Sequence, residues 1–513
     1  MKRFLPVVAV LLAPWVAARP AAALPAAVPD EDPSRSIVKL YVTTLGRDLY
    51  APWRPGSSFS VTGSGAVIAG GRILTAAHVV NDQTFVQVRP NGTARKFRAR
   101  VTFVSHLADL ALVEVDDPGF HEGVVPLGLG DLPAVRDQVA AYGFPNGGDT
   151  LSITSGIVAR VEHEPYLHSG ESLLALQMDA AIAPGSSGGP VVDKGRLVGV
   201  AMQGFKDSKI GCAVPAPVIR QFLDDVADGR LDGIPLLGVG LQKLENAALK
   251  ASLGVPAGET GVLVRQVLAG PAAGVLHEGD VLVSLGGMAV GDDGTVEFRP
   301  RERTDVSYVT DLLQVGATVP VRYLRDGQVR EQQLKLSRAR GDGCLVPRIF
   351  DRGADYYLFG GLAFVGLTRN LLDVGREWVP APIAALAAQE PDNQRDEVVL
   401  LVDILSSDVN AGYSDERWRV VSDVDGRKVR NLRELVGAVE APSAERFVSF
   451  DLSQGYRVTV DRSQAKASAQ EVLERYGVVS DRSARLAAER REASDGKERP
   501  KVVALAGGQK ASR

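Results

Sequence analysis

The chain has 513 residues, a length that suits about three or four domains. Its 45% hydrophobic and 23% charged content excludes a disordered or fibrous chain, and 58 Lys+Arg against 62 Asp+Glu leaves a net charge of −4, too weak for nucleic acid or an anionic membrane to be the main partner. The two cysteines, Cys212 and Cys344, exclude a disulfide framework and a Cys-based zinc site, and both read as buried apolar filler.

Lys2 and Arg3, the apolar run Phe4 to Val16 and the small residues Ala21, Ala22 and Ala23 predict a secretory signal peptide over 1–23. The run is too short for a membrane span, so the mature protein is expected in the periplasm or another exported compartment, with no stable span after cleavage. A retained N-terminal anchor is the alternative. Residues 24–36 form a polar, Pro-containing lead-in. Residues 37–232 then alternate short apolar strands with Gly, Pro and Asn: SIVKLYVTT, GSGAVIAGGRILTAAHVV, FVQVRP, ADLALVEV, DQVAAYGFP, SITSGIVARV and GRLVGVAMQ. Period-two alternation over this length predicts a sandwich or a pair of barrels rather than βαβ units. VPAPVIRQFLDDVADG closes the block as a helix, with Val218, Phe222 and Val226 on one face. Residues 236–340 have another texture of strands around a short helix, and 345–475 repeat it more loosely. The charged tail 481–513 reads as a frayed helix passing into disorder. The fold class is mostly β.

PGSSGGP, Pro184 to Pro190, carries the chemistry. Attack on a peptide carbonyl needs an exposed hydroxyl and N–H groups aimed at the developing oxyanion. In G-x-S-G-G the first Gly takes a backbone conformation that few residues tolerate, and the later pair lets substrate backbone approach. Ser187 is the candidate nucleophile, and the N–H groups of Gly185, Ser186 and Ser187 are the candidate oxyanion donors. The Ser needs a base. His78 sits in ILTAAHVV, where an apolar strand ends in small residues. Asp109 opens DLALVEV, and a carboxylate heading a buried strand predicts a partner. Asp82, in the turn-like NDQ, is its rival. No Walker loop and no metal-ligand spacing is present in the sequence, so no cofactor is expected.

GSGAVI, LTAAHVV, DLALVEV, YGFPNGGD, SITSGIV and DAAIAPGSSGGPVV resemble successive blocks of the HtrA/Deg family of trypsin-like serine proteases with PDZ domains. IGCAVPAPVI resembles the exit of that protease domain. GDDGTVEFRPRER and FGGLAFVGLTRNLL resemble the plant-type Deg subgroup, which has a second, degenerate PDZ-like domain. The family's Asn before the nucleophile is Ser186 here, and the Asn of its TNAH is Ala76. The order His78, Asp109, Ser187 is the chymotrypsin order. The resemblance implies a chymotrypsin-like double β-barrel over 37–232, a PDZ domain over 236–340 and a second PDZ-like domain over 345–475. It implies a pocket floor at Ala181, six residues before Ser187, with Ile210, Gly211 and Cys212 as a nearby wall, suiting a small apolar residue before the scissile bond. LLGVG resembles a PDZ carboxylate-binding loop, with Leu236, Leu237, Gly238 and Val239 holding a peptide C-terminus. The expected function is ATP-independent serine endopeptidase action on unfolded or damaged proteins, in a trimer-based homo-oligomer. The rival is a peptide-binding scaffold or holdase whose triad is rarely assembled.

Overall fold

The computed structural model describes residues 32–494 apart from 205–209, 342, 376, 378 and 393; the predicted signal peptide lies outside the described residues. Twelve strands close two six-stranded barrels. The first contains β1 (Ile37–Gly46), β2 (Ser57–Val67), β3 (Ile73–Thr75), β4 (Gln83–Pro90), β5 (Phe97–Ser105) and β6 (Leu110–Glu114), in the order β1-β2-β3-β6-β5-β4. The second contains β7 (Gln138–Gly143), β8 (Ser152–Pro165), β9 (Ser172–Met178), β10 (Pro190–Asp193), β11 (Arg196–Gly204) and β12 (Gly211–Pro215), in the order β10-β11-β12-β9-β8-β7. A one-turn helix α1 (Ala77–Val80) interrupts the first barrel between β3 and β4. Alternation drives closure: Val38, Leu40 and Val42 on β1 are buried in one continuous core that also takes Leu173 to Leu176 and Val198 to Val200. Helix α2 (Ala216–Asp225) buries Val218 and Phe222 on that core, and Val226 follows in a 3-10 turn.

A second sheet follows, with its edge strand Val239–Lys243 paired to Val262–Val267. Its inserted hairpin Thr295–Asp305 lies along β8, where Thr304 Oγ1 accepts the His163 N–H at 3.1 Å. Phe298, Tyr308 and Leu312 pack against the barrel core, so this domain is docked on the two barrels. A seven-stranded sheet from Tyr356 to Asp461 forms a further domain, where a second PDZ-like domain was expected. The β1–β2 loop reaches into it: Trp53 and Ala51 are buried there, with the Trp53 ring 6.1 Å from Tyr356.

The structure corrects one part of the reading of the tail as a frayed helix passing into disorder: its first residues are docked rather than frayed. The Leu358 N–H donates to Asp481 O at 2.7 Å, Arg482 is buried and ion-paired to Glu440, and helix Ala484–Ser494 buries Leu486 on the last sheet. Average polarity concealed those few buried anchors. Residues 495–513 lie outside the described residues.

Candidate active site

β3 is wholly buried, and Ala76 and Ala77 leave room for α1 to tuck against the first barrel, so the turn presents His78 at the cleft between the barrels. Asp109 precedes β6 with φ of 52°, a left-handed conformation that Asp tolerates better than most residues. Its carboxylate is fully buried. It accepts the His78 backbone N–H at 2.9 Å and faces His78 Nδ1 at 2.8 and 3.0 Å. With Nδ1 donating to a carboxylate, Nε2 carries the lone pair. Burial lowers the His78 pKa, but the Asp109 charge and hydrogen bond outweigh it and the net shift is upward. The rival Asp82 lies elsewhere: it pairs with Arg47 at 2.8 Å, and its N–H donates to Asp351 at 2.7 Å.

Ser187 lies in the turn between β9 and β10. Gly185 has φ of 92° and Gly188 of 81°, as the motif required. Ser64 Oγ donates to Gly185 O at 2.8 Å and accepts the Phe144 N–H at 2.9 Å, while the Ser64 N–H donates to Ser187 O at 2.9 Å. The Ser186 N–H donates to Ala183 O at 2.9 Å, which removes Ser186 from the predicted oxyanion set. Among the described residues the N–H groups of Gly185 and Ser187 have no hydrogen-bond partner, so two donors remain. The glycine pair also has a different reason from the one expected. A Cβ on Gly188 would collide with Thr75 Oγ1 and Ser64 O, and one on Gly189 with Tyr142 O. The pair lets the two barrels close on the turn and bring it against Ala76, two residues from His78.

Ala181 is exposed, and its carbonyl accepts from Thr154 Oγ1 at 3.1 Å. Ile210 stands at the surface and Gly211 is buried. Cys212 is fully buried in the second barrel's core, where burial pushes its thiol up to about 12, so it is core rather than pocket wall. The side chain packed against Gly211 is Ile182: a Cβ on Gly211 would lie 2.9 Å from Ile182 Cγ1. Its apolar neighbours in DAAIAP masked it in the sequence. In LLGVG, Gly238 has φ of 81° and its carbonyl accepts the Leu268 N–H at 2.9 Å, and Leu237 packs partly into the PDZ core. The Leu236 N–H is committed to Arg338 O at 2.7 Å, which removes Leu236 from the predicted carboxylate loop. Val239 begins the sheet's edge strand. Cys344 is half-buried rather than core.

Sequence reasoning missed a second histidine cluster beside His78. The His168 ring lies 6.2 Å from the His78 ring, and His168 Nε2 meets His106 Nδ1 at 2.9 Å. His106 Nε2 meets Asp351 at 2.8 Å, and Phe350 stacks on His106 at 4.1 Å. Burial, with neighbouring positive charge, lowers His168 to about 4, so it is neutral at pH 7. Nothing local in YLHSGES or RIFD signals this meeting. Among the described residues no group of three or more His, Cys, Asp or Glu could hold a metal ion, and no helix is long and apolar enough to cross a membrane.

A trypsin-like peptidase domain model matches residues 63–200, and a PDZ domain model matches 346–485. The chain is 36% identical over 471 residues to protease Do-like 2, chloroplastic, of Arabidopsis thaliana, covering 90% of this chain and 77% of that one. It is 35% identical over 453 residues to protease Do-like 4, mitochondrial, of the same plant, covering 87% and 84%. A solved structure of the HtrA-type protease AlgW with a decapeptide matches at 25% identity and a TM-score of 0.45, over 59% of this chain and 95% of that one.

Proposed function

The chain belongs to the HtrA/Deg family of Do-like serine proteases and is a serine endopeptidase with PDZ domains; from that premise we propose that it degrades unfolded or damaged proteins, without ATP, through Ser187, His78 and Asp109. The observation that carries the assignment of the three residues is the grip of buried Asp109 on both the ring and the backbone of His78. Ser187 Oγ attacks the scissile carbonyl and passes its proton to His78 Nε2. Asp109 holds the imidazole in place and stabilises the imidazolium. The N–H groups of Gly185 and Ser187 stabilise the tetrahedral oxyanion. His78 then protonates the leaving amine, and water activated by the same Nε2 hydrolyses the acyl-enzyme.

Ala181 and Ile182 are apolar and carry no charge to hold Lys or Arg, which supports cleavage after Val, Ala or Leu. The edge strand beginning at Val239, with Leu237 and Gly238 before it, supports capture of extended peptide C-termini by strand addition. The protein works after export, with residues 1–23 removed, as a trimer-based homo-oligomer. Mass spectrometry of casein digests tests the chemistry and the pocket together. Termini ending in Val, Ala or Leu are expected, and termini dominated by Lys or Arg would overturn the pocket. N-terminal sequencing tests export, and light scattering tests assembly. A protein inert toward casein in every oligomeric state would favour the scaffold instead.

A further inference from the structure

β1 places Val38, Leu40 and Val42 in the barrel core, while Lys39 points the other way, toward the second barrel, and is only 2% exposed. A buried ammonium is costly unless it is partnered, so its partners define what it does. Lys39 Nζ donates to Gly147 O at 2.6 Å and to Asp149 Oδ1 at 3.0 Å. Its cross-strand neighbour on β4, Arg89, donates to Asp149 O at 2.9 Å and lies 3.1 Å from its carboxylate. Its cross-strand neighbour on β2 is Ser64, which bridges Phe144 N–H and Gly185 O. The row Ser64–Lys39–Arg89 thus grips the segment 144–149 from end to end. That segment carries Asn146, whose N–H donates to Pro184 O at 2.6 Å. Pro184 C=O and Gly185 N–H belong to one planar trans peptide and point in opposite directions. Holding that carbonyl on Asn146 therefore fixes where the Gly185 N–H points. The segment lies flat against Gly185: a Cβ there would sit 2.6 Å from Phe144 O and 3.1 Å from Asn146 N.

We propose that Lys39 is a positioning residue for the oxyanion donor, anchoring 144–149 so that the Pro184–Gly185 peptide presents its N–H to the tetrahedral intermediate. The proposal rests on the reading of Gly185 as an oxyanion donor. Lys39→Met in the full chain keeps the length and removes the charge. Losing one oxyanion donor costs about 10²–10³ in turnover, and Lys39→Met is expected to lower kcat on a short peptide anilide by about 10²-fold, at the lower end of that range, with KM little changed. A peptidyl trifluoromethyl ketone, whose tetrahedral adduct needs the same donors, should weaken by a matching factor. Asp149→Asn, at an exposed carboxylate, should give a smaller loss of the same kind, and Asp149→Glu should recover activity. Lys96→Met, an exposed lysine over the Tyr41 ring, should change neither readout. The role is overturned by wild-type kcat and inhibitor affinity in Lys39→Met, or in Asp149→Asn where Lys39→Met does not fold. A loss of kcat with unchanged inhibitor affinity would overturn it equally. Full activity in Ser187→Ala would instead remove the protease site and Lys39's role together, so the two failures are distinguishable.

Discussion

His78–Asp109, in the cleft between the barrels, and His163–Asp311, in the seam between β8 and the inserted hairpin, are both imidazole–carboxylate pairs, at 2.8 and 3.1 Å. Both carboxylates are buried. The pairs differ in the second ring nitrogen and in access. His163 Nδ1 meets Thr304 Oγ1 at 2.7 Å, its side chain is 5% exposed, and Asp311 is also held by Arg340. The His78 side chain is 31% exposed, and among the described residues its Nε2 has no hydrogen-bond partner. An imidazole with both nitrogens committed cannot take a substrate-side proton; it can only join two elements. The seam pair fastens the PDZ domain to the protease, while the cleft pair leaves one nitrogen uncommitted, as the proposed base requires. His106, engaged by His168 and Asp351, belongs with the seam pair.

The sharpest way to break this comparison is to exchange the expected effects. Ser187→Ala and His78→Ala should each lower turnover by about 10⁶, measured on casein or a peptide anilide. His163→Ala should leave kcat within a few-fold. Asp109→Asn should cost about 10⁴ by favouring the wrong tautomer. If Asp311→Asn lowered kcat as much, the distinction between the pairs would fail.

The pH dependence of turnover separates the pairs next. The proposed base, His78, must be neutral to act, and against the lowering by burial its pKa is raised by Asp109. The acid limb of kcat/KM should therefore have its midpoint above the ordinary imidazole value of about 6.5. Asp109→Asn should move that midpoint down, and His163→Ala should leave it in place. The seam pair should be visible in stability instead: His163→Ala removes the ring's two buried hydrogen bonds, to Thr304 and Asp311, and a loss of about 1–3 kcal/mol is expected in urea unfolding. Ser186→Ala should have the smallest effect, since that position offers neither a side chain nor a free N–H to the oxyanion.

The contrast also explains what could be read from sequence. His78, Asp109 and Ser187 each lie in a short segment whose local chemistry is unusual: small residues at a strand end, a charge heading an apolar strand, glycines that need positive φ. Period-two alternation, a local property of each strand, made a sandwich or a pair of barrels legible, and the choice of two barrels came with the family resemblance. Lys39, Ser64, His168 and Phe350 were not, because their meaning comes from partners far along the chain. Phe350 reaches His106 across 244 positions, and Lys39 reads as one polar residue in an apolar strand until 144–149 folds over it. Ser186 and Leu236 were misassigned for the same reason. The partners of their N–H groups, Ala183 O and Arg338 O, are fixed only by the folded turn and by the return of the chain after the PDZ sheet.

Site mapping with a serine-directed fluorophosphonate tests the central claim most directly, because the adduct forms only where a hydroxyl, a free imidazole nitrogen and oxyanion donors converge. The folded wild-type protein should carry one adduct, located by peptide mass spectrometry on Ser187, and His78→Ala should abolish it while His163→Ala retains it. An adduct on Ser186, or labelling of Ser187 that survives His78→Ala at the wild-type rate, would contradict the account.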